Sequence, residues 1–415
     1  MRPRGVYIGI PVYCEREWLP RTLTALDNQT DLDFQVWVCV NQPAEYDCDQ
    51  KKLSITRENR ETLDWLYDRR HRFRYPLRIL SAVKPPAAPP LKISGVGWAR
   101  RYIFDSIAAA ETDNPLCISL DADTLTDNRY VADIRATFSR YPNAVGLAAP
   151  YYHRLPERET DALRILRYEI YLRYYQLSLW RIGSPYAFMP IGSGMAFPLH
   201  SYRRIGGIPP RKAGEDFYFL QQLRKTGPII RWLESRIYPS PRPSIRNPFG
   251  TGAVMADTGP ELLERRYPFY SQAAFDALEK TFSRFPSIYN QPSGTEDIEL
   301  PLGEFVQQRL NGYQSFINIR RNCSSQAQFV KACHEKVDAL RTLQYLRFYH
   351  QNRDPCAVEM ENINDLLARL GEAPVSFAPQ TVSSTELDRI RNTLLACESR
   401  IQREFMQRWD NKARW

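Results

Sequence analysis

The sequence predicts an α/β fold over residues 1–255 and a mainly helical region over residues 256–415. In the first part, short apolar segments typical of buried strands alternate with segments of helical spacing, which is the pattern of a doubly wound sheet. Beyond about Met255 the alternation stops and long helical patterns follow, at 305–319, 327–350 and 386–409. The 415 residues are enough for two domains, or for one large domain with a helical appendage.

The predicted elements of the α/β part follow one another closely. Residues 6–10 form the first strand, which Pro11 is predicted to stop. In chain order the next elements are a helix from near Glu17, a strand at 34–40, a helix at 54–70, a strand at 77–83 and a helix at 98–110. They are followed by a strand at 116–120, a helix at 128–140, a strand at 144–150, a helix at 158–181 and a strand of small residues at 190–197.

Two aspartates end the strand at 116–120. Four of the five side chains of this strand are apolar, as in a strand buried on both faces, and Asp121-Ala-Asp123 follows directly. Side chains alternate along an extended backbone, so Asp121 and Asp123 project to one side and suit a Mg²⁺ or Mn²⁺ ion that also binds substrate phosphates. The alternative is that they only open a turn and cap the next helix, although Thr-Asp-Asn at 126–128 offers another cap.

Polar side chains also follow the other predicted strands. The loops after the strands carry Tyr13, Asn41, Lys84 and Asp121. Because the carboxyl ends of parallel strands meet at one edge of a sheet, where ligands bind in α/β folds, this position favours a nucleotide site. Two common nucleotide motifs are absent: Arg100 replaces the third glycine of a dinucleotide fingerprint beginning at Gly95, and no Gly-x-x-x-x-Gly-Lys-Ser/Thr occurs.

A second acidic pair predicts proton transfer. Glu215 and Asp216 lie in the first turn of a predicted helix, where acids can also simply compensate the helix dipole. A carboxylate fixed on a rigid helix is well placed to take a proton from a hydroxyl if it faces Asp121. The preceding strand of small residues allows another molecule to approach the backbone closely. It contains Gly192, Ser193 and Gly194.

The charge is unevenly distributed along the chain. Lysine and arginine exceed aspartate and glutamate by nine, so the surface attracts anions such as a nucleotide, a nucleic acid or a lipid headgroup. Most of the excess lies between His200 and Gly250, with ten cations and three acids. We predict from this stretch that Arg242, Arg246 or both close over a diphosphate, with the loop at 248–252 in the same lid.

Three further features bear on the environment of the protein. The predicted helix at 158–181 interleaves arginines with aromatic rings, which suits stacking on a base, a sugar or a lipid interface, or else ordinary packing. The eight cysteines include no Cys-x-x-Cys pair, which predicts free thiols in a reducing compartment. No segment is long and apolar enough to span a bilayer, so a cytoplasmic location is expected, with peripheral contact to the inner face of the membrane left open.

Six short motifs add up to a known pattern. They are Ile-Pro-Val-Tyr-Cys-Glu at 10–15, Val-Cys-Val-Asn at 38–41, Gly-Trp-Ala-Arg at 97–100, Leu-Asp-Ala-Asp at 120–123, Gly-Ser-Gly-Met-Ala at 192–196 and Gly-Glu-Asp at 214–216. Their order resembles that of family 2 glycosyltransferases, which have the GT-A fold, a Rossmann-like nucleotide-diphospho-sugar transferase fold. The resemblance covers about residues 6–239. Asn41 stands where an aspartate is often found, and Arg101 replaces an asparagine.

The resemblance implies a role for each matching residue. Pro11, Tyr13 and Glu15 would meet the nucleoside and Asn41 the base, while Arg100 would lie near the base or the phosphates. On the metal side, Asp121 would contact the ribose or the metal and Asp123 would hold the metal. Asp216 would be the catalytic base, with Glu215 beside it, and Gly192, Ser193 and Gly194 would line the acceptor side.

The function implied is that of an inverting, metal-dependent glycosyltransferase. It would use Mn²⁺ or Mg²⁺ and move a sugar from a nucleoside diphosphate, with a UDP-sugar favoured, to a hydroxyl of a glycan, a lipid-linked or a small-molecule acceptor. One alternative is a sugar-phosphate nucleotidyltransferase, which would make the activated sugar. Another is a non-catalytic basic scaffold, which would bind polyanions in a salt-sensitive way. No nucleic-acid partner is expected, and a homodimer is left open.

Overall fold

A mixed seven-stranded sheet and a small two-stranded sheet organise the first part of the chain. This computed structural model describes residues 5–246, 248–257, 259, 265–291, 300–353, 359–376 and 383–408. The strands are β1 (Val6–Val12), β2 (Gln35–Asn41), β3 (Leu77–Ala82), β4 (Leu116–Ser119), β5 (Leu125–Thr126), β6 (Gly146–Ala148), β7 (Met195–Pro198), β8 (Ile229–Ile230) and β9 (Ile237–Tyr238). The order in the large sheet is β3-β2-β1-β4-β7-β6-β8, and β5 pairs with β9. The predicted α/β class is confirmed.

The centre of the sheet is apolar throughout. β1 pairs in parallel with β2 and β4, and every residue of β1 and β4 is buried, which explains the apolar composition that predicted these strands. β1 runs through Pro11, so the prediction that Pro11 stops the strand is wrong. Pairing with β4 has already ended at Gly9 and Ser119, so no strand on that side requires the N–H that Pro11 lacks.

β7 runs against the direction of its neighbours. It pairs antiparallel with β4 and β6, whereas a doubly wound layer is built of parallel strands. The strand is also shorter than predicted, because Gly192–Gly194 forms a 3₁₀ turn before it. Met195, the first residue of β7, pairs with Ser119, the last residue of β4. The glycine turn therefore lies at the carboxyl end of β4, next to the loop that begins at Asp121.

Eight helices that the structure describes in full accompany these strands. They are α1 (Leu19–Asp27), α2 (Leu53–Arg69), α3 (Val96–Ala110), α4 (Tyr130–Arg140), α5 (Glu159–Arg181), α6 (Leu199–Arg204), α7 (Glu215–Thr226) and α8 (Thr251–Ala256). α1 to α5 lie close to their predicted positions. The predicted strand at 144–150 contributes only three residues to β6, and α8 begins inside the segment at 248–252 that was predicted to be a loop.

Helices make up the rest of the chain that the structure describes. They are α9 (Gln272–Asn290), α10 (Glu304–Arg309), α11 (Gln314–Arg321), α12 (Gln326–Lys336), α13 (Ala339–Arg353), α14 (Glu359–Arg369) and α15 (Ser384–Arg408). The pattern at 305–319 is broken into α10 and α11 because Asn311 and Gly312 have positive φ angles, which end a helix. The predicted end of the last helix, at Trp409, lies outside the described residues.

Contacts divide the described residues into two compact units. Unit 1 comprises those within Met1–Ile165, Phe188–Thr258 and Gln402–Ala413. Unit 2 comprises those within Leu166–Ala187 and Gly259–Ile401. The helical unit therefore includes most of α5 in addition to the helices after residue 259, and the division predicted at residue 255 stays a prediction.

The arginines of α5 that lie in unit 2 are engaged by acids of the same unit. Arg173 is 1% exposed and pairs with Glu169 and Glu398. Arg167 pairs with Glu359, and Arg181 pairs with Asp276 and Glu279. Of the alternatives that the sequence left open for this helix, packing is the one observed over its unit 2 portion.

The remaining features concern the cysteines and the hydropathy of the helices among the described residues. The seven cysteines among them are all free thiols, as predicted. None of the described helices has an apolar stretch of the length that crossing a bilayer requires.

Candidate active site

The candidate site lies at the carboxyl edge of the large sheet, within unit 1. β1, β2 and β4 end at this edge, and the turn Gly192–Gly194 is there because β7 runs in the opposite direction. Two clusters of ion pairs are found at this edge. The Arg100 cluster comprises Arg100, Asp121, Glu215 and Asp216, and the Arg242 cluster comprises Arg242, Arg246, Glu15 and Asp123.

Arg100 connects the two acidic pairs that the sequence singled out. Its guanidinium donates hydrogen bonds to the carboxylates of Asp121 and Glu215, and only 3% of the residue is exposed. Burial disfavours its charge, but attraction to Asp121, Glu215 and Asp216 prevails and raises the pKa of Arg100 above its ordinary value. Arg100 therefore stays charged and ties the loop after β4 to the start of α7.

Gly192 leaves room for this guanidinium. A Cβ atom at Gly192 would lie 2.3 Å from Nη2 and 2.6 Å from Cζ of Arg100, distances that no real Cβ contact shows. The small residues at 192–194 are predicted from the sequence to let another molecule approach the backbone. The structure gives Gly192 a second reason, which is the close packing of Arg100 against the backbone.

The two acids at the start of α7 differ in exposure. Glu215 is 2% exposed and bound to Arg100, whereas Asp216 is partly exposed. Burial raises the pKa of Glu215 to about 7 and raises the pKa of Asp216 above its ordinary value, in both cases against the lowering effect of Arg100. Oδ1 of Asp216 accepts a hydrogen bond from the N–H of Phe217 at 2.8 Å. Asp216 is thus the more exposed residue of this pair.

The Arg242 cluster lies between the loops after β1, β4 and β9. Nε of Arg242 is 2.7 Å from Oδ2 of Asp123, and Nη2 of Arg242 donates to both oxygens of Glu15. Arg246 donates to Glu15 at 2.6 Å and to the carbonyl oxygen of Tyr13. Burial raises the pKa of Glu15 and of Asp123, against the lowering effect of the two arginines. The two predicted arginines therefore come to the predicted nucleoside and metal residues.

The small sheet places the loop that carries these arginines. Asp127 accepts hydrogen bonds from the N–H of Arg236 at 2.8 Å and from the hydroxyl of Tyr238 at 2.9 Å, which joins the segment after β5 to β9. The sequence offered Asp127 as a cap for α4, but Arg129 occupies the N-cap and makes no capping side-chain bond there. This expectation is wrong, because the carboxylate of Asp127 accepts its hydrogen bonds from Arg236 and Tyr238 and not from the first turn of α4.

Asn41, the predicted base contact, is held by a buried polar network. It is 5% exposed and its Nδ2 donates to the carbonyl oxygen of Val12 at 2.9 Å. Asn59 of α2 bonds to Gln42 at 3.0 Å and accepts from the N–H of Cys14 at 2.9 Å. Asn59 and Gln42 are not among the site residues predicted from the sequence. A signal existed, since the buried face of α2 carries polar residues at a spacing of three, namely Thr56, Asn59 and Thr62.

Some predicted residues lie deeper than expected. Pro11 is buried within β1, and Gly192, Ser193 and Gly194 are buried at the glycine turn. A Cβ atom at Gly194 would lie 2.9 Å from Cδ1 of Ile237, so this glycine also has a packing reason. Their assignment to the nucleoside and to the acceptor side stays a prediction.

Asp121 and Asp123 fit a divalent cation, but the extended backbone predicted for them is wrong. β4 ends at Ser119, and the two residues lie in a turn in which the N–H of Thr124 donates to the carbonyl oxygen of Asp121 at 3.2 Å. Their side chains are 36% and 19% exposed, so both are accessible to an ion. Among the described residues, no group of three or more histidine, cysteine, aspartate or glutamate side chains is arranged to hold a metal. Two carboxylates are the protein ligands that Mg²⁺ or Mn²⁺ takes when substrate phosphates and water supply the others. Each carboxylate also pairs with an arginine, which a bound cation would have to share or displace.

Sequence comparison decides the family of the region that contains most of this site. Residues 116–254 match the protein-family model described as glycosyl transferase family group 2. The chain carries a family 2 glycosyltransferase segment. This segment contains both acidic pairs, the glycine turn, Arg242 and Arg246, while Glu15, Asn41 and Arg100 precede it. The predicted family and enzyme class are confirmed over residues 116–254. The observed α/β sheet, followed by helices, agrees with the predicted fold class.

The chain is also similar to solved structures of S. aureus TarS. The crystal structure of TarS 1–349 is 12% identical, covers 84% of this chain and 91% of that chain, and has a TM-score of 0.39. TarS 1–349 in complex with UDP-GlcNAc gives the same identity and coverage with a TM-score of 0.40. These TM-scores are too low for the similarity to support a function. A search of the curated proteins found no match.

Proposed function

We propose that this glycosyltransferase moves a sugar from a nucleoside-diphosphate donor, with a UDP-sugar favoured, to a hydroxyl acceptor with inversion of the anomeric carbon. The Arg100 cluster is the observation that supports this proposal. One buried arginine ties Asp121, on the predicted donor side, to the acidic pair in which Asp216 is the more exposed residue. A base beside a donor site is what a single-displacement transfer requires.

Asp216 acts as the general base in this proposal. It takes the proton of the acceptor hydroxyl while the acceptor oxygen forms a bond to the anomeric carbon and the bond from that carbon to the diphosphate breaks. Because there is one displacement, the configuration inverts. The raised pKa of Asp216 makes it a stronger base than an ordinary aspartate. Glu215 and Arg100 hold the start of α7 in place.

The positive groups of the site stabilise the departing nucleoside diphosphate. Arg242 and Arg246 lie on a loop next to Tyr13 and Asp123, where they can transfer hydrogen bonds from carboxylates to phosphate oxygens. A divalent cation, Mn²⁺ or Mg²⁺, held by Asp121 and Asp123 would supply further neutralisation of that leaving group. The nature of the acceptor, a cytoplasmic location, peripheral membrane contact and a homodimer all stay predictions.

Release of nucleoside diphosphate tests the proposal. We would incubate UDP-, GDP- and dTDP-sugars with the native protein and with Asp216→Asn, in Mn²⁺ or in EDTA. The native protein should release nucleoside diphosphate slowly from one donor in Mn²⁺, and Asp216→Asn should lower this rate by about 10²-fold or more with donor affinity nearly unchanged.

A matched substitution controls for the loss of one acidic charge. Asp68→Asn makes the same chemical change near the end of α2, away from the carboxyl edge of the sheet, and its side chain is 67% exposed. It should leave release unchanged. Equal rates for Asp216→Asn and the native protein would exclude Asp216 as the base. Pyrophosphate release from a nucleoside triphosphate and a sugar phosphate would instead indicate a nucleotidyltransferase.

A further inference from the structure

Arg242 binds a carboxylate that a divalent cation would need. Its Nε lies 2.7 Å from Oδ2 of Asp123, and its Nη2 donates to Glu15. The side chains of Arg242 and Asp123 are 20% and 19% exposed, so the contact is partly shielded from solvent. Because the site is partly shielded from solvent, a guanidinium and a divalent cation that bind the same carboxylate would repel each other strongly.

The two arginines on the predicted metal ligands differ in their freedom to move. Arg100, on Asp121, is 3% exposed, is also bound to Glu215 and lies against the backbone of Gly192. Arg242 is carried by the segment that follows β9, and Glu15 offers it a second carboxylate. Of these two arginines, Arg242 is therefore the one that can leave its aspartate without breaking up a buried cluster.

Replacement of Arg242 by a divalent cation on Asp123 would change the charge of the Arg242 cluster. Arg242 and Arg246 balance Glu15 and Asp123, so this cluster is neutral as the structure has it. A divalent cation on Asp123 would place two further positive charges next to the Arg242 guanidinium, which would have lost its hydrogen bond to that carboxylate. A diphosphate supplies negative charge and acceptor oxygens for that guanidinium.

We propose that Arg242 and a divalent cation are alternative occupants of the Asp123 carboxylate. Arg242 holds Asp123 when no cation is bound, and it turns from Asp123 towards the donor diphosphate when a cation binds. Glu15 keeps the arginine at the site in both states and is a positioning residue. The destination of Arg242 rests on the proposed function, whereas the competition at Asp123 does not.

Titration with Mn²⁺ alone tests the competition. Free Mn²⁺ is measured by electron paramagnetic resonance in the presence of the native protein, Arg242→Gln, Arg246→Gln or Asp123→Asn, without any sugar nucleotide. Arg242→Gln should bind Mn²⁺ about tenfold more tightly than the native protein, because the competing cation is gone. Asp123→Asn should lose this binding.

Arg246→Gln is the matched control, because it removes the same charge from the same loop. Arg246 forms its ion pair with Glu15, and its effect on the pKa of Asp123 is weaker than that of Arg242. It should therefore tighten Mn²⁺ binding by no more than about threefold. Equal tightening by the two variants, or unchanged or weaker binding by Arg242→Gln, would overturn the proposal, as would a native protein and Arg242→Gln that both bind no Mn²⁺.

A second measurement is made with Arg242 in place, so it does not depend on the folding of an arginine variant. The guanidinium of Arg242 lies over the ring of Trp18, 5.5 Å from its centroid. Departure of Arg242 should change the fluorescence of Trp18, so Mg²⁺ should change the emission of the native protein and have no such effect on Trp18→Phe. Mn²⁺ binding without a Trp18-dependent response to Mg²⁺ would contradict the movement.

The two proposals can fail separately. A failed Mn²⁺ competition with normal donor hydrolysis would exclude the exchange at Asp123 and leave the transferase reaction intact. A successful competition with neither hydrolysis nor metal-dependent binding of any of the UDP-, GDP- and dTDP-sugars would exclude the proposed reaction and retain the exchange.

Discussion

At the scale of single residues, Gly192 is required by its contact with Arg100. We expect Gly192→Ala to lower kcat/KM by about 10²-fold, since a Cβ atom would push against a guanidinium that Asp121 and Glu215 already hold. The measurement is steady-state donor hydrolysis, with circular dichroism to confirm that the variant is folded.

A double-mutant cycle shows whether Gly192→Ala acts through Arg100. In the background of Arg100→Ala the clash has no partner, so Gly192→Ala should have little further effect on kcat/KM. A full additional loss in that background would mean that the glycine is needed for another reason, such as contact with the acceptor.

The buried carboxyl of Glu215 makes stability depend on pH. Its pKa rises from 4.5 to about 7 on folding, so the folded state holds its proton more tightly than the unfolded state. The stabilisation from this group is complete below about pH 4.5 and is lost as the pH rises through about 7. Between pH 5 and 8 the free energy of unfolding should fall by roughly 1–3 kcal/mol more in the native protein than in Glu215→Gln.

Urea unfolding at several pH values measures this difference. Glu215→Gln cannot titrate at this position, so it is the reference with which the pH dependence of the native protein is compared. A difference that stays constant between pH 5 and 8, or that grows in the opposite direction, would contradict the raised pKa of Glu215.

At the scale of elements, the pairing of β5 with β9 places the arginine loop. Asp127→Ala removes two hydrogen bonds between these strands and leaves the N–H of Arg236 and the hydroxyl of Tyr238 without that partner. We expect the free energy of unfolding to fall by about 1–3 kcal/mol and donor affinity to weaken, because Arg242 follows four residues after Tyr238.

A smaller change at the same contact is the control. Tyr238→Phe removes one of the two hydrogen bonds and should cost about 0.5–1.5 kcal/mol, with a smaller loss of donor affinity. Unchanged donor affinity in Asp127→Ala, measured by calorimetry with the favoured nucleoside diphosphate, would show that the small sheet does not position the arginines.

At the scale of the whole molecule, unit 2 contains a buried network of charges. Arg173 and Glu398 form an ion pair at 2.5 Å, and Glu169 bonds to Arg173 and to Arg391, each at most 3% exposed. Breaking a buried pair leaves an uncompensated charge, so Arg173→Met should lower the free energy of unfolding by about 3–5 kcal/mol.

Removal of both partners separates the cost of an unpaired charge from the cost of lost packing. Arg173→Met combined with Glu398→Leu leaves Glu169 paired with Arg391, so the double variant should be more stable than Arg173→Met alone. Urea unfolding followed by circular dichroism measures both variants. A double variant as unstable as the single one would mean that the network does not act through charge pairing.

The sequence by itself determined the class of the fold and much of the site. The buried strands β1 and β4 were evident because their composition is apolar on both faces. The α1 and α4 helices were evident because their apolar residues recur at helical spacing. Asp121, Asp123, Glu215 and Asp216 were found because acids that directly follow a strand or open a helix are a local pattern. The family match confirmed the enzyme class that these motifs implied.

Only the tertiary structure decided how these groups are connected. The antiparallel direction of β7, the use of Asp127 across the small sheet and the arginines on Asp121 and Asp123 join residues far apart in the chain, and no local pattern specifies such pairings. The physical reason is that strand order and ion pairing depend on which surfaces are buried together. Spacing along the chain reports only the surface that each element presents.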